Sequence, residues 1–464
     1  MNALERFGRE AVFRVAERPG MPSDGIKTLI AEEEVGVDAS LLLTFCFKQP
    51  TPFTYDLMTV VAAVRCADRA CIRKHSEAWA RRLTVEVPVF DTALWRSEKT
   101  QSLLTQTLSY LTGDEWEFNF KARRRRFKPH HEAPLALGNA SRFRFIPYSH
   151  GLDSFAQLRL LQTKEPEVQH ICVHADTRHA MGGWAAFCRR SKGQHVQPLR
   201  VPLRFNDPHH AEVTFRSRPF IYYTLTAYGA VMADCSEVAI PENGQGSVGG
   251  SLAPLGQEAP HRSCHPAFTD RLSKLLGHLT GKVVTFKHPG LFSTKGDVLR
   301  DLVAVEGDGA KWLPQHWSCS HDQRNATSGA KRIHCGVCGN CILRRNAAVA
   351  AGIRDETQYL YDDLSQPTMD ASLMKGAPRP RSFKAFEDLA SNGVRSMTRL
   401  ADLAANPDSL ALWSESANLA EALSEPVAQV HDNLTSFVQR HAVQWQEFLT
   451  QCGPNSWVSS MARE

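Results

Sequence analysis

The sequence lacks several features that would assign the protein to a specialised class. No apolar run approaches the roughly 20 residues that a membrane helix needs, and the nearest run, Leu57 to Ala67, is interrupted by Arg65. The net charge is only +5, with 22% charged and 42% hydrophobic residues. This balance is typical of a globular protein and requires neither nucleic acid nor a membrane as partner. The sequence also shows no internal repeats.

The start of the chain lacks the apolar core of a secretory signal, since it reads Met1-Asn2-Ala3-Leu4-Glu5-Arg6. Together with the 12 cysteines, this predicts a reducing compartment, in which thiols stay unpaired. We therefore expect a cytoplasmic protein. A chain of 464 residues is long enough for two or three domains, each with its own core.

Four of the cysteines are spaced like metal ligands. Cys335, Cys338 and Cys341 are separated by two residues each, and Cys319 lies upstream in Trp317-Ser318-Cys319. Thiolates at this spacing can converge on one ion, and Gly336 and Gly339 allow the chain to turn around it. The sequence predicts a zinc site that is structural, because four sulfur ligands leave no position for water.

Three regions follow from the apolar patterns. Residues 1–140 alternate like strands at Ala11–Val15, Leu41–Phe47, Leu83–Val87 and Trp116–Phe120, with a helix from Tyr55 to Cys71. They predict an α+β domain for partner recognition, which ends in a linker from Pro129 to Pro134. Residues 356–464 predict a helical extension. Its last long helix, between Pro426 and Gly453, carries an apolar stripe that predicts a packing face.

Residues 141–355 alternate short strands with helices, which favours a parallel sheet covered by helices on both faces. The strands are expected at Phe143–Tyr148, Val168–Val173, Val196–Leu203 and Ser236–Ile240, with a helix at Pro219–Met232. The ligand site should lie at the carboxyl ends of the strands. The glycine-rich stretch Asn243–Gly256 is predicted to be a mobile surface loop.

A candidate phosphate-binding turn follows the first of these strands. It reads Ser149-His150-Gly151-Leu152-Asp153-Ser154 and precedes an apolar helical segment. A strand, a tight turn and a helix N-terminus direct amides and hydroxyls toward one point, which suits phosphate. Taken alone, such a turn is more often a simple helix cap, in which Asp153 or Ser154 satisfies the first free amides of the helix.

The turn resembles the Ser-Gly-Gly-x-Asp-Ser signature of the PP-loop ATP pyrophosphatases, and of the 7-cyano-7-deazaguanine synthase (QueC) family in particular. The cysteine loop from Trp317 to Arg344 resembles the zinc loop of that family. Weaker similarities lie between them, at Arg216–Phe220, Val238–Asn243 and Ser293–Asp297. The resemblance covers about residues 141–355, and His150 departs from it by replacing a glycine. It implies a PP-loop (HUP-like, Rossmannoid) core.

The resemblance implies an ATP-dependent carbon–nitrogen ligase that forms AMP and pyrophosphate. In the family, ATP activates the carboxylate of 7-carboxy-7-deazaguanine, and ammonia attacks. On this chain the resemblance implies that ATP is bound by Ser149, Gly151, Asp153 and Ser154, with Mg²⁺ as a clamp on the phosphates. It implies that Arg218 and Lys295 neutralise phosphate charge, and that they form the catalytic set together with Asp153 and Ser154. It also implies that Glu242 and Asn243 bind the substrate and that Zn²⁺ is held by Cys319, Cys335, Cys338 and Cys341.

The long flanking regions resemble the QueC-like proteins of bacterial anti-phage operons, including the Qat system and type IV CBASS. That resemblance implies transfer of a 7-deazaguanine to an amine of a partner protein encoded in the same operon. Three alternatives stay open. The first is a free 7-cyano-7-deazaguanine synthase that uses ammonia. The second is a PP-loop tRNA-modifying enzyme that would bind RNA through Arg123–Arg126, and the third is a non-catalytic zinc scaffold.

Overall fold

The computed structural model describes residues 9–18, 26–46, 48–73, 79–127, 142–177, 181–205, 212, 214–256, 258–320, 326–328 and 331–464. The predicted linker from Pro129 to Pro134 lies outside these residues. The chain divides into two compact units, and the polypeptide passes between them several times. The sheet unit contains Met1–Ser149, Glu165–Ile240 and Gln257–His288, and the helical unit contains His150–Lys164, Pro241–Gly256 and Pro289–Glu464.

Within the described residues the strands are β1 (Arg9–Ala16), β2 (Ile26–Ile30), β3 (Val35–Val37), β4 (Arg81–Val89), β5 (Glu115–Ala122), β6 (Phe143–Pro147), β7 (Gln169–Thr177), β8 (Val196–Phe205), β9 (Glu237–Ala239), β10 (Thr285–Lys287), β11 (Thr327–Ser328) and β12 (Lys331–Arg332). The helices of the sheet unit are α1 (Ser40–Phe45), α2 (Pro52–Ala70), α3 (Thr92–Arg96), α4 (Glu98–Thr112), α6 (Met181–Ser191), α7 (Arg218–Met232) and α9 (Pro266–Thr280). Those of the helical unit are α5 (Leu152–Lys164), α8 (Gly250–Leu252), α10 (Lys295–Glu306), α11 (Gly339–Ala350), α12 (Phe383–Asp402), α13 (Leu410–Leu423), α14 (Val427–Cys452) and α15 (Trp457–Arg463).

In its described residues, the sheet unit contains two sheets. The smaller has the order β2-β1-β4-β5, and all of its pairings are parallel. The larger has the order β10-β9-β6-β7-β8-β3, and it is parallel except for β3, which pairs antiparallel with β8. The strand order reverses at β6, which lies between β9 and β7. In open sheets of this kind, ligands bind at the carboxyl ends of the strands beside such a reversal.

One continuous apolar core serves both sheets. It includes Val85 of β4, Val61 of α2, Phe145 of β6 and Leu225 of α7, all essentially inaccessible to water. Helices α2 and α4 pack on the smaller sheet, and α7 packs on β6, β7 and β9. Parallel strands bury near-continuous apolar runs, so they need such helical cover.

Among the residues that the structure describes, the helical unit has three apolar clusters. Leu152 of α5, Leu299 of α10 and Ala347 of α11 belong to one cluster. The predicted packing stripe of α14 joins the other two: Phe437 lies in a cluster with α13, and Trp445 lies in a cluster with α12 and the cysteine loop. The prediction of a packing face on this helix is therefore confirmed.

The predicted fold class is confirmed, since parallel sheets are flanked by helices, four cysteines are buried together and the C-terminal region is helical. The predicted strand at Leu41–Phe47 is wrong. Residues Ser40–Phe45 form helix α1, and Phe47 is outside the described residues. The neighbours Leu42 and Leu43 are both buried, whereas a strand would direct them to opposite faces. A run of apolar residues this short does not distinguish the two structures.

The prediction of a loop at Asn243–Gly256 is also wrong. Gln245–Gly249 form a π-helical turn that continues into α8, and Val248 and Leu252 are buried in an apolar cluster. The glycines here allow close approach instead of flexibility. A Cβ atom added to Gly244 would lie 2.5 Å from the Phe437 ring.

No helix in the described part of the chain combines the length and the apolar character needed to cross a membrane. The boundaries expected at residues 140 and 355 stay a prediction.

Candidate phosphate-binding site and cysteine cluster

The four predicted cysteine ligands converge. Cys319, Cys335, Cys338 and Cys341 are all buried, and their sulfur atoms lie within 4.8 Å of one another. The Cys319–Cys338 and Cys335–Cys341 sulfur pairs are 3.9 and 3.8 Å apart. Zinc–sulfur bonds of about 2.3 Å in a regular tetrahedron place sulfur atoms about 3.8 Å apart. The cluster therefore fits a tetrahedral metal ion.

Local structure explains this convergence. Cys338 immediately precedes α11, and Cys341 lies in the first turn of that helix. Gly336 has φ +91°, and a Cβ atom there would meet the Tyr361 carbonyl oxygen at 2.3 Å, so only glycine fits. The Cys338 amide donates to the Cys335 sulfur at 3.3 Å. Such amides stabilise thiolates, the form that binds metal.

A buried arginine fixes the segment that leads into Cys319. Arg344 of α11 is fully buried, and its guanidinium donates to the carbonyl oxygens of His316 at 2.8 Å and Leu313 at 2.5 Å. It also donates to the hydroxyl oxygens of Ser318 at 3.1 Å and Thr357 at 2.7 Å. Helix α11 thus holds both the cysteine loop and residues 313–318.

The turn that begins α5 contacts this segment directly. Gly151 forms a parallel bridge with Trp317, and the Leu152 amide donates to the Trp317 carbonyl oxygen at 3.1 Å. His150 adopts φ +60°, a backbone conformation that glycine reaches without strain and that other residues rarely adopt. Gly151 and Leu152 of the candidate turn and Trp317 of the cysteine loop, recognised separately in the sequence, are therefore adjacent in the helical unit.

Four predicted site residues, one of which belongs to this turn, come together here. Lys295, whose side chain is 4% exposed, places its ammonium nitrogen 2.8 and 2.7 Å from the two carboxylate oxygens of Asp153. The Asn243 side-chain amide donates to Asp153 Oδ1 at 2.9 Å and to Glu242 Oε1 at 2.8 Å. Three separate segments of the chain thus meet at one carboxylate.

This arrangement combines a cation, an anion and an amide at a helix N-terminus. Asp153 lies in the first turn of α5, and Lys295 is the first residue of α10. The positive end of a helix and a fixed ammonium both stabilise phosphate charge. Ser154, beside Asp153, is buried. Asp153 and Glu242 are the oxygen donors here that suit a magnesium ion.

Two predicted site residues belong to the sheet unit. Ser149 follows β6 at its carboxyl end. Arg218, the first residue of α7, is exposed, and its guanidinium donates to the Tyr222 hydroxyl at 3.0 Å and lies 4.9 Å from the Tyr222 ring centroid. The roles expected for these two residues stay predictions.

Several residues that hold the site were not predicted. The Gln245 side-chain oxygen accepts from the Lys295 amide at 2.9 Å. Asp297 and Thr294 form a capping box that begins α10, a signal that the spacing of these two residues does carry. Burial opposes the ionisation of Asp297, but hydrogen bonds from Thr294 and Arg440 outweigh it and lower the pKa of this carboxyl group.

The basic run Arg123–Arg126, which would grip RNA only if the protein were a tRNA-modifying enzyme, is partly neutralised. The Arg123 side chain is 2% exposed and lies 2.5 Å from Glu32. Arg125 lies 3.6 Å from Glu33. Arg123 is therefore not available to bind phosphate.

No protein-family model matches the chain. The chain is similar to proteins named 7-cyano-7-deazaguanine synthase. The protein from Marinobacter nauticus is 22% identical over 234 residues, which are 46% of this chain and 96% of that protein. The protein from Methanocaldococcus jannaschii is 30% identical over 94 residues, 20% of this chain and 38% of the relative. The protein from Brucella ovis is 31% identical over 118 residues, 24% of this chain and 44% of the relative.

The chain thus spans less than half the length of two of these three relatives and nearly the whole length of the third. These similarities identify distant homologues and support a QueC-like relationship for this chain.

Proposed function

We propose that the protein is an ATP-dependent QueC-like ligase that forms AMP and pyrophosphate. It activates the carboxylate of 7-carboxy-7-deazaguanine and passes the acyl group to an amine of a partner protein in anti-phage defence. The observation that carries this proposal is the buried Lys295 ammonium, bound to Asp153 at the start of α5 and beside Asn243. The homologues named 7-cyano-7-deazaguanine synthase support the substrate class.

The proposed reaction has two steps. A carboxylate oxygen of the substrate attacks the α-phosphorus of ATP, the bond between the α- and β-phosphates breaks, and pyrophosphate leaves. An amine nitrogen then attacks the acyl carbon, AMP leaves with the electron pair of the broken carbon–oxygen bond, and the nitrogen loses a proton. Both steps need fixed positive charge near the phosphates, because such charge stabilises the transition state without rearranging during the reaction.

The residues of the site suit these demands. Lys295 supplies the fixed cation, and Asp153 holds its ammonium in place. Gly151 and Ser154 would bind the phosphates through an amide and a hydroxyl. Glu242 and Asn243 would contact the deazaguanine, whose ring nitrogens and amino group pair with carboxylate and amide oxygens.

Two metal ions complete the proposal. Zinc, held by the four cysteines, would stabilise the loop beside the phosphate-binding turn and supply no open coordination position. Magnesium, bound with ATP, would neutralise phosphate charge.

The proposal that the acceptor is a protein is supported by the large part of this chain that the matched relative does not cover. Less than half of this chain accounts for 96% of the Marinobacter nauticus relative. The remaining residues therefore provide surface that the relative does not have. We propose that residues 1–140 and 356–464 recognise the acceptor protein.

The intact mass of the protein encoded beside this gene tests the proposal. After incubation with the enzyme, ATP and 7-carboxy-7-deazaguanine, the neighbouring protein should gain a mass of deazaguanine size. Asp153→Ala should abolish the gain, whereas the exposed control Asp432→Ala should keep it.

The names of the relatives favour a second candidate, the free 7-cyano-7-deazaguanine synthase. In that case, ammonium and ATP would give the nitrile product in solution without a partner, and the neighbouring protein would stay unmodified. If defence survives Asp153→Ala with ATP use abolished, the protein is a scaffold and both candidates fail.

A further inference from the structure

Helix α14 contacts two of the three segments that supply the site residues, those of Asn243 and Lys295. This helix lies in residues 356–464, outside the region that resembles the QueC family. Two glycines mark the closest contacts. A Cβ atom on Gly244, next to Asn243, would lie 2.5 Å from the Phe437 ring, and a Cβ atom on Gly296, next to Lys295, would lie 2.7 Å from the Gln444 side-chain oxygen.

Hydrogen bonds connect α14 to the backbone of Lys295. The Lys295 amide donates to Gln245 Oε1 at 2.9 Å, and Gln245 Nε2 lies 3.3 Å from His441 Nδ1. The other ring nitrogen of His441 lies 2.9 Å from the Met397 carbonyl oxygen of α12. Burial lowers the pKa of His441 to about 4, so the ring is neutral near pH 7. A neutral ring with Nε2 protonated donates to Met397 and accepts from Gln245.

A second connection reaches the helix that Lys295 begins. Asp297 caps the N-terminus of α10 through Thr294. Its two carboxylate oxygens also accept from Gln444 Nε2 at 2.9 Å and from Arg440 Nε at 3.0 Å, both on α14. Two side chains of α14 therefore fix the first turn of α10, which orients Lys295.

We propose that α14 contributes positioning residues to the site: His441 and Gln444 hold Lys295 against Asp153. This inference rests on the proposed function for its effect on catalysis. It assigns to the C-terminal extension a role inside the site, in addition to any recognition of an acceptor. The reason is that Lys295 can neutralise phosphate charge only if its ammonium group is held in position. Helix α14 fixes the turn that carries Lys295.

The test variant is Gln444→Met, which keeps the side-chain length and removes the donor to Asp297. The matched control is Gln446→Met, the same change at an exposed position of the same helix. His441→Phe is a second variant that removes both ring nitrogens. If His441→Phe does not fold, the positioning role of α14 is judged from Gln444→Met alone.

The first readout is independent of activity. Lysine acylation by acetic anhydride, followed by peptide mass spectrometry, measures the access of reagent to Lys295. We expect slow labelling of Lys295 in the natural protein and about fivefold faster labelling in Gln444→Met, because loss of the anchor lets the turn open more often. Exposed Lys274 serves as an internal reference, and Gln446→Met should match the natural protein. Unchanged labelling of Lys295 in a folded Gln444→Met protein would overturn the inference.

The second readout is pyrophosphate release, expressed per nucleotide-binding site titrated with a non-hydrolysable ATP analogue. We expect kcat to fall about tenfold in Gln444→Met with KM for ATP nearly unchanged, since the lost contact matters most in the transition state. A variant that is only less stable would lose binding sites and keep its rate per site, and that result would contradict a positioning role. If the natural protein releases no pyrophosphate, the proposed function fails while the labelling result still stands.

Discussion

At the scale of single residues, the sequence named some of the residues that meet in the candidate site but not the hydrogen bonds between them. Asp153, Asn243 and Lys295 were expected from motif positions, and they lie within hydrogen-bonding distance as a connected set. Gln245 was assigned to a loop, because a glycine-rich stretch resembles one. Its hydrogen bond to Lys295 depends on residues 50 positions apart along the chain, and no local pattern specifies such a pairing.

His150 provides a residue-scale prediction. It adopts φ +60° where the QueC family has glycine, and the left-handed conformation costs a non-glycine residue about 1 kcal/mol. His150→Gly should therefore raise the free energy of unfolding by about 0.5 kcal/mol, measured by urea denaturation. ATP affinity should change less than about twofold, because the side chain is expected to point away from the phosphates.

The matched control is His195→Gly, since His195 has φ +49° and lies in the sheet unit. It should give a similar gain in stability and leave ATP binding unaltered. A large loss of ATP affinity in His150→Gly alone would mean that the imidazole contacts the nucleotide.

At the scale of elements, long periodic segments were predicted well and short apolar runs were not. The sequence located α2 and α14 closely, because their apolar positions recur with helical spacing over many residues. It missed α1, whose few apolar residues fit either structure. It also missed β2 and β3, and the pairing of β3 with β8 joins positions about 170 residues apart, which only the tertiary fold decides.

Arg344 provides an element-scale prediction. Its guanidinium makes four hydrogen bonds to residues 313–318 and Thr357, and a lysine ammonium cannot reproduce this planar set. Arg344→Lys should lower the free energy of unfolding by on the order of 3 kcal/mol, measured by urea denaturation. It should also weaken ATP binding, because Trp317 bridges to Gly151.

The exposed residue Arg354, on the loop that follows α11, offers the control Arg354→Lys, which should alter neither quantity. If Arg344→Lys were as stable as the natural protein, residues 313–318 would not depend on the bonds of Arg344.

At the scale of the whole molecule, the parallel sheet that begins at β6, the cysteine cluster and the C-terminal helices were predictable, because each depends on strong local patterns. The division of the chain into two compact units does not depend on such local patterns. The helical unit combines α5 and α10 with α12–α15, so residues far apart in sequence share one fold. Contacts between such distant segments arise from packing and leave no mark in composition.

Cys338→Ser provides a prediction at this scale. The missing thiolate leaves an incomplete ligand shell, so we expect the purified protein to hold less than about a tenth of a zinc ion per chain, compared with about one for the natural protein. The cysteine cluster belongs to the apolar core of the helical unit, and the thermal midpoint should fall as well. Metal analysis and calorimetry measure both effects.

Cys188→Ser, a change in the sheet unit, should retain the metal. A folded, active Cys338→Ser protein without metal would contradict the four-thiolate site.

The central claim is that the Asp153–Lys295 site activates a carboxylate with ATP. Exchange of labelled pyrophosphate into ATP measures that step directly, because it requires reversible formation of the acyl-adenylate and no acceptor. We predict exchange that depends on 7-carboxy-7-deazaguanine in the natural protein, loss of about 100-fold or more in Lys295→Met, and no change in the exposed control Lys375→Met. Absence of exchange in the folded natural protein with this substrate, or full exchange in Lys295→Met, would contradict the account.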